Sequence, residues 1–108
     1  MGCKMIVAVV RGSHLQEVEE GLKGIGVRGI TVDPVRGYGE KADYLRADQT
    51  VPHVRITVFV PDQFTDAAVD AIAAGGRTGL AGDGLVVVAD LERVVRIRSG
   101  EEVVGDCL

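Results

Sequence analysis

Val51-Pro52-His53-Val54-Arg55-Ile56-Thr57-Val58-Phe59-Val60 is the run on which the fold turns. His53 and Arg55 alternate with Val54, Ile56, Val58 and Val60, the two-residue period of a strand, and Pro61-Asp62 stops it. C-terminal to it, Thr65 to Ala74 predicts a helix with Phe64, Ala68, Val69 and Ile72 as its buried side, closed by Gly75-Gly76. A glycine-rich segment, Thr78 to Gly84, then precedes a strand over Leu85 to Ala89. Arg93 to Arg98 reads as a short final strand, with a polar tail beyond Gly100. N-terminal to the run lies Arg36 to Thr50, a stretch of about 15 residues with two glycines and little apolar periodicity. Loops of that length in compact domains are more often functional than accidental. Before it, Gly29 to Val35 predicts a strand whose Pro34 suits an edge or a bulge. A helix precedes that strand, with Leu15, Val18, Leu22 and Ile25 as one apolar stripe. Ser13 and Gln16 match a capping box at its start, Gly26 ends it, and Gly21 and Gly24 weaken it. Lys4 to Val10, β-branched and apolar, opens the chain as a buried strand.

The order β-α-β-β-α-β places residues 1–108 in the α+β class as one ferredoxin-like (split βαβ) domain with a short extra C-terminal strand. Both helices then cover one face of an antiparallel sheet. Val58, Val60, Val86 and Val88 are read as making both faces of some strands apolar, and no further element remains to cover the second face. A homo-oligomer packed through the sheets is the expected solution.

The composition is that of a soluble globule, with 46% apolar and 26% charged residues. Aromatics are only 4%, so the core must be aliphatic. A net charge of −4 argues against nucleic-acid binding through phosphate-backbone neutralisation, but leaves room for a small phosphorylated ligand held by a few local cations. No apolar run approaches the roughly 18–20 residues of a membrane span, and Met1-Gly2-Cys3-Lys4 has no secretory pattern. The expectation is a cytoplasmic domain. Cys3 and Cys107 have no metal-ligand spacing; two reduced thiols near the termini are favoured over a redox clip or an intermolecular bridge.

Two features carry chemistry. Successive glycines in Thr78 to Gly84 let a backbone approach a ligand closely and form an anion nest, although the segment lacks a G-K-[ST] ending and reads equally as a tight helix-to-strand connection. In the cluster Arg93, Arg96 and Arg98, Arg96 and Arg98 project from one side if the segment is extended. Their guanidinium groups suit phosphate, while Glu92, Glu101 and Glu102 offer surface ion pairs as the even alternative. His14 lies in a cap region, and His53 is read as an exposed residue at the start of a strand, in preference to a ligand contact. No Ser-His-Asp grouping, HExxH or paired carboxylate set is legible, which argues against an enzyme.

Three separated motifs resemble the PII signal-transduction proteins, in order and over nearly the whole chain. Arg77 to Gly84 is similar to the family's B-loop, and Val94 to Glu102 to its C-terminal signature. Gly29 to Val32 and Val35 to Gly39 are similar to the second strand and its passage into the T-loop. The resemblance implies a ferredoxin-like homotrimer that binds adenine nucleotides, ADP or ATP (the latter with Mg) or AMP, in intersubunit clefts. It further implies a T-loop, about 37–51, that docks onto a target protein, a transporter or metabolic enzyme, with a B-loop at 77–84 and a C-terminal loop at 96–108. Carried over, Gly29 and Thr31 line the cleft and contact the base, and Gly37, Tyr38 and Gly39 lie beside the phosphates. Thr78, Gly82, Asp83 and Gly84 hold the phosphates through backbone amides, and Arg96 and Arg98 reach them across the subunit boundary.

The departures are specific. Leu85 stands where the family has a lysine after the last B-loop glycine, and His53 replaces a lysine that helps hold 2-oxoglutarate. The glutamine past the T-loop base has no counterpart among Gly39-Glu40-Lys41, and the T-loop is shorter. The family's modified tyrosine meets only Arg46-Ala47-Asp48-Gln49-Thr50, with Tyr44 nearby in another context. The expectation is a nucleotide-sensing regulator with altered nitrogen-sensing equipment, whose second effector is a smaller anion such as bicarbonate near Lys41, Arg46 or His53. Regulation of inorganic-carbon metabolism is the alternative; a small ferredoxin-like enzyme and a structural trimer rank lower.

Overall fold

The computed structural model of the chain describes residues 2–36, 52–105 and 107. Strand β1 (Cys3–Arg11) passes through a 3-10 turn (Gly12–His14) into helix α1 (Leu15–Gly24), followed by β2 (Thr31–Val35) and β3 (His53–Pro61). A second 3-10 turn (Asp62–Phe64) leads into α2 (Thr65–Gly76), and β4 (Leu85–Asp90) completes the sheet. The strands are antiparallel in the order β2-β3-β1-β4. This is the expected ferredoxin-like arrangement. The expected T-loop falls outside the described residues, as do Gly37, Tyr38, Gly39, Lys41 and Arg46.

The core forms where the two-residue period of the strands meets the helical stripes. Ile6 and Ala8 of β1 stand opposite Val58 and Ile56 of β3, and all four are fully buried beneath Val18 and Leu22 of α1 and Ala68 and Ile72 of α2. Leu15 and Ile25 flank the α1 stripe partly buried, as its spacing requires. Gly26, at φ +100°, ends that helix: its amide donates to Lys23 O at 3.0 Å and that of Val27 to Leu22 O at 3.0 Å, the Schellman pattern.

Four local expectations are corrected. Ser13 makes no cap, because the chain leaves β1 through a 3-10 turn that closes with the Leu15 amide on Gly12 O. Phe64 sits in the exposed turn before α2 rather than on its buried side. Gly75 and Gly76 do not close α2 but belong to it: a Cβ on Gly75 would lie 2.9 Å from the Val18 amide nitrogen, so the two helices approach backbone to backbone there. Arg93 to Arg98 is not a strand. Its backbone folds back on its own continuation, with one bridge between Val95 and Glu102 and bonds from Val103 N to Val94 O (2.8 Å) and Arg96 N to Glu101 O (2.9 Å).

Two longer-range expectations change as well. Cys3 and Cys107 form a disulfide across 6.2 Å between Cα atoms, so the two-thiol reading gives way to the clip. Val58, Val60, Val86 and Val88 all lie on the helix-facing side, in register with Ile6 and its neighbours. The second face is nonetheless apolar, through Met5, Val7 and Val9 of β1, Phe59 of β3 and Leu85 and Val87 of β4. Phe59, Leu85 and Val87 are 40%, 60% and 48% exposed, and no described element covers them. Among the described residues no helix is long and apolar enough to cross a membrane.

Candidate functional site

The segment between α2 and β4 is a tight loop in which Gly79, Gly82 and Gly84 take left-handed φ values of +87°, +95° and +100°. These conformations explain the glycines, since a Cβ is disfavoured there. At Gly84 space forbids one too: it would collide with the carbonyl oxygen of Val9 in β1. The loop is closed by Asp83, whose carboxylate accepts the amides of Thr78 and Gly79, each at 2.8 Å, and the Thr78 hydroxyl. The Leu80 amide donates to Thr78 Oγ1 at 3.1 Å. Hydrogen bonds from the Thr78 hydroxyl and amide, with lesser help from Gly79 and Arg11, hold the Asp83 carboxyl well below the usual carboxylate range.

The sheet grips this loop from below. Arg11, the last residue of β1, donates from Nε to Asp83 Oδ1 at 3.1 Å and from Nη2 to Ala81 O at 2.7 Å. His53, the first residue of β3 and the partner of Arg11 in register, places Nε2 2.7 Å from Gly82 O. His53 is only 5% exposed, which overturns its reading as an exposed residue at the start of a strand. Arg11 was missed by sequence reasoning: it follows the apolar run Lys4 to Val10, and nothing local pointed to Asp83, 72 residues away.

Within the single chain the remaining candidates lie apart. A groove of about 240 Å³ beside the loop is lined by Val10, Ile72, Arg77, Asp83, Gly84 and Leu85. Gly29 borders a second hollow of about 290 Å³ with Leu22, Lys23 and Val27, and Thr31 is exposed at the start of β2. Arg96 and Arg98 line a third, of about 330 Å³, with Ser99, Glu101 and Glu102. That pair does not lie on an extended segment, since Arg98 sits in the turn of the C-terminal hairpin. Arg93 forms the surface ion pair, Nε to Glu102 Oε1 at 2.8 Å. The Thr78 amide and hydroxyl are directed to Asp83 inside the loop. Among the described residues no group of three or more His, Cys, Asp or Glu is arranged to hold a metal ion.

Residues 3–101 match a family model described as nitrogen regulatory protein P-II. The chain is 37% identical to the nitrogen regulatory protein P-II of Rhizobium etli over 105 residues, 91% of this chain and 94% of that protein. It is 40% identical to nitrogen regulatory protein P-II 1 of Escherichia coli (strain K12) over 106 residues, 92% and 95% of the two chains. The crystal structure of Arabidopsis thaliana PII bound to citrate is similar with a TM-score of 0.78 and 33% identity, covering 94% of this chain and 85% of that one. With the ferredoxin-like sheet, the glycine-rich loop and these similarities together, the chain belongs to the nitrogen regulatory protein P-II family of signalling proteins.

Proposed function

We propose that this protein is a non-enzymatic sensor of adenine nucleotides that acts as a homotrimer and regulates a target protein through residues 37–51. The observation that supports this most directly is the loop 77–84. Its left-handed glycines and its closure by Asp83 fix the loop backbone beside the groove lined by Asp83 and Gly84, where the amides of residues 82–84 suit phosphate oxygens. The uncovered apolar face supports assembly, because a sheet face carrying Met5, Val7, Val9, Phe59 and Val87 is stabilised by a second copy. Assembly also accounts for the separate hollows: a cleft between copies lets the loop of one meet the Arg96–Arg98 hairpin of the next. Gly29 and Thr31 then serve the base, Gly37, Tyr38 and Gly39 the phosphates, and Gly82, Asp83 and Gly84 the phosphates through their amides. A bound nucleotide changes target affinity only if it contacts the target-binding state of the protein differently from the other state.

Calorimetry with ATP, ADP and AMP, combined with sedimentation, tests the reading. Native protein is expected at three times 11.4 kDa. Arg98→Ala should weaken ADP binding by about 1.5–3 kcal/mol, roughly ten- to a hundredfold, while leaving the trimer intact. Unchanged ADP affinity in that variant removes the assigned site.

The second effector is read from His53. Its Nε2 faces the Gly82 carbonyl, so the position that the resemblance gives to a dicarboxylate-binding lysine supports the loop instead. We therefore expect 2-oxoglutarate to bind weakly or not at all, leaving a smaller anion such as bicarbonate near Lys41 or Arg46 and a role in inorganic-carbon metabolism as the second reading. Titrating each anion into protein saturated with ADP or Mg-ATP decides between them; micromolar 2-oxoglutarate affinity returns the chain to nitrogen signalling.

A further inference from the structure

We propose that Arg11 and His53 are positioning residues that aim the amides of Gly82 and Asp83 at a nucleotide's phosphates without touching the nucleotide, an inference that rests on the nucleotide reading above. The two side chains stand opposite each other at the ends of β1 and β3, on the sheet face turned away from the helices. Arg11 is 11% exposed and His53 5%, so each is fixed by its surroundings. Together they hold three consecutive loop residues: Arg11 Nη2 holds the Ala81 carbonyl at 2.7 Å, His53 Nε2 the Gly82 carbonyl at 2.7 Å, and Arg11 Nε the Asp83 carboxylate at 3.1 Å.

The consequence follows from peptide planarity. In a trans peptide the carbonyl of one residue and the amide of the next point in opposite directions. Drawing the Ala81 carbonyl toward Arg11 therefore turns the Gly82 amide away from the strands. Drawing the Gly82 carbonyl toward His53 turns the Asp83 amide away in the same manner. Two adjacent donors are thus presented outward on one side of the loop, in a chain segment whose glycine at 82 tolerates the required φ of +95°. The Asp83 carboxylate occupies the Thr78 and Gly79 amides, which leaves the aimed pair as the part of the loop these two side chains control. Arg11 thereby works on the loop backbone and on Asp83 at once, and His53 serves the loop rather than an effector anion.

The full-length protein with Arg11→Met, Arg11→Lys, His53→Leu and His53→Gln tests this, using calorimetry with ADP and AMP and amide hydrogen exchange. Arg11→Met and His53→Leu should each weaken ADP binding about tenfold or more, and by a larger factor for ADP than for AMP, because the lost alignment acts on the phosphates. Exchange at residues 78–84 should quicken while that of β1 and β3 stays as in the wild type. His53→Gln, which keeps a donor, should retain affinity within about threefold, and Arg11→Lys, which keeps the charge but loses the forked contact, should fall between. The lysine and glutamine variants carry the test if either apolar variant fails to fold. Equal losses for ADP and AMP, or wild-type ADP affinity in a variant whose loop exchange has quickened, overturn the positioning role. Unchanged loop exchange in both apolar variants overturns it as well. A wild-type chain that binds no adenine nucleotide defeats the underlying reading and this inference with it, and that outcome is distinguishable because the exchange measurement needs no ligand.

Discussion

Replacing Gly84 by alanine separates two costs that are usually mixed. At φ +100° an alanine enters the left-handed region, at about 1–2 kcal/mol. Its Cβ also meets the carbonyl oxygen of Val9, and no rotamer change relieves a clash between two backbone-fixed atoms. Val9 cannot retreat, because β1 lies between β3 and β4 and this residue is paired with Arg55 on one side and Leu85 on the other. The loop must move instead, adding about 1–3 kcal/mol of overpacking. The expected total is about 2–5 kcal/mol. Gly79→Ala is the internal control: its φ is +87°, yet a Cβ there meets nothing within 4 Å, so only the conformational cost of about 1–2 kcal/mol applies. Urea unfolding of both variants at one fixed chain concentration gives the comparison, since the stability of any assembled form depends on concentration. A Gly84→Ala variant no less stable than Gly79→Ala would show that the contact with β1 is yielding and that the loop is not pinned there.

Three further outcomes follow from the same structure. Reducing the Cys3–Cys107 bond, or Cys107→Ser, releases a closure of 104 residues and should lower unfolding stability by about 4–5 kcal/mol on the loop-entropy account; identical melts with and without dithiothreitol would refute the clip. Leu85→Lys places a cation beside the loop groove and should raise ATP affinity over ADP by about tenfold, read by competition calorimetry, and an unmodified chain that already prefers ATP tenfold contradicts this. Asp83 and Asp62 both have folded-state carboxyls below the ordinary 3.8, Asp83 through Thr78 first and Asp62 through the Gly2 amide and Lys4. The stability they contribute is complete only above about pH 5 and is lost progressively as pH falls through 3.8 toward their lower folded values, so Asp83→Asn should flatten the acid limb of stability against pH, measured as urea midpoints.

The four strands of the sheet and its two helices were legible from short periods. Two-residue alternation in Val51 to Val60 and the three- and four-residue spacing of Leu15, Val18, Leu22 and Ile25 are local consequences of backbone geometry, and so is the helix stop at Gly26. The glycine-rich loop announced itself for the same reason: left-handed backbone is a property of single residues. Its support was not legible. Arg11, His53 and Asp83 meet because antiparallel register sets position 11 opposite position 53 and leaves both beneath the loop that enters β4, and register is decided by the packing of whole strands. The same holds for Gly75, which looked like a helix stop and is instead where α1 and α2 touch. It holds also for Cys3 and Cys107, ordinary residues at opposite ends until the fold brought them within bonding reach. Short-range patterns thus determined the elements, while contacts between residues distant in sequence waited on the tertiary structure, because only a packed sheet gives such residues fixed relative positions.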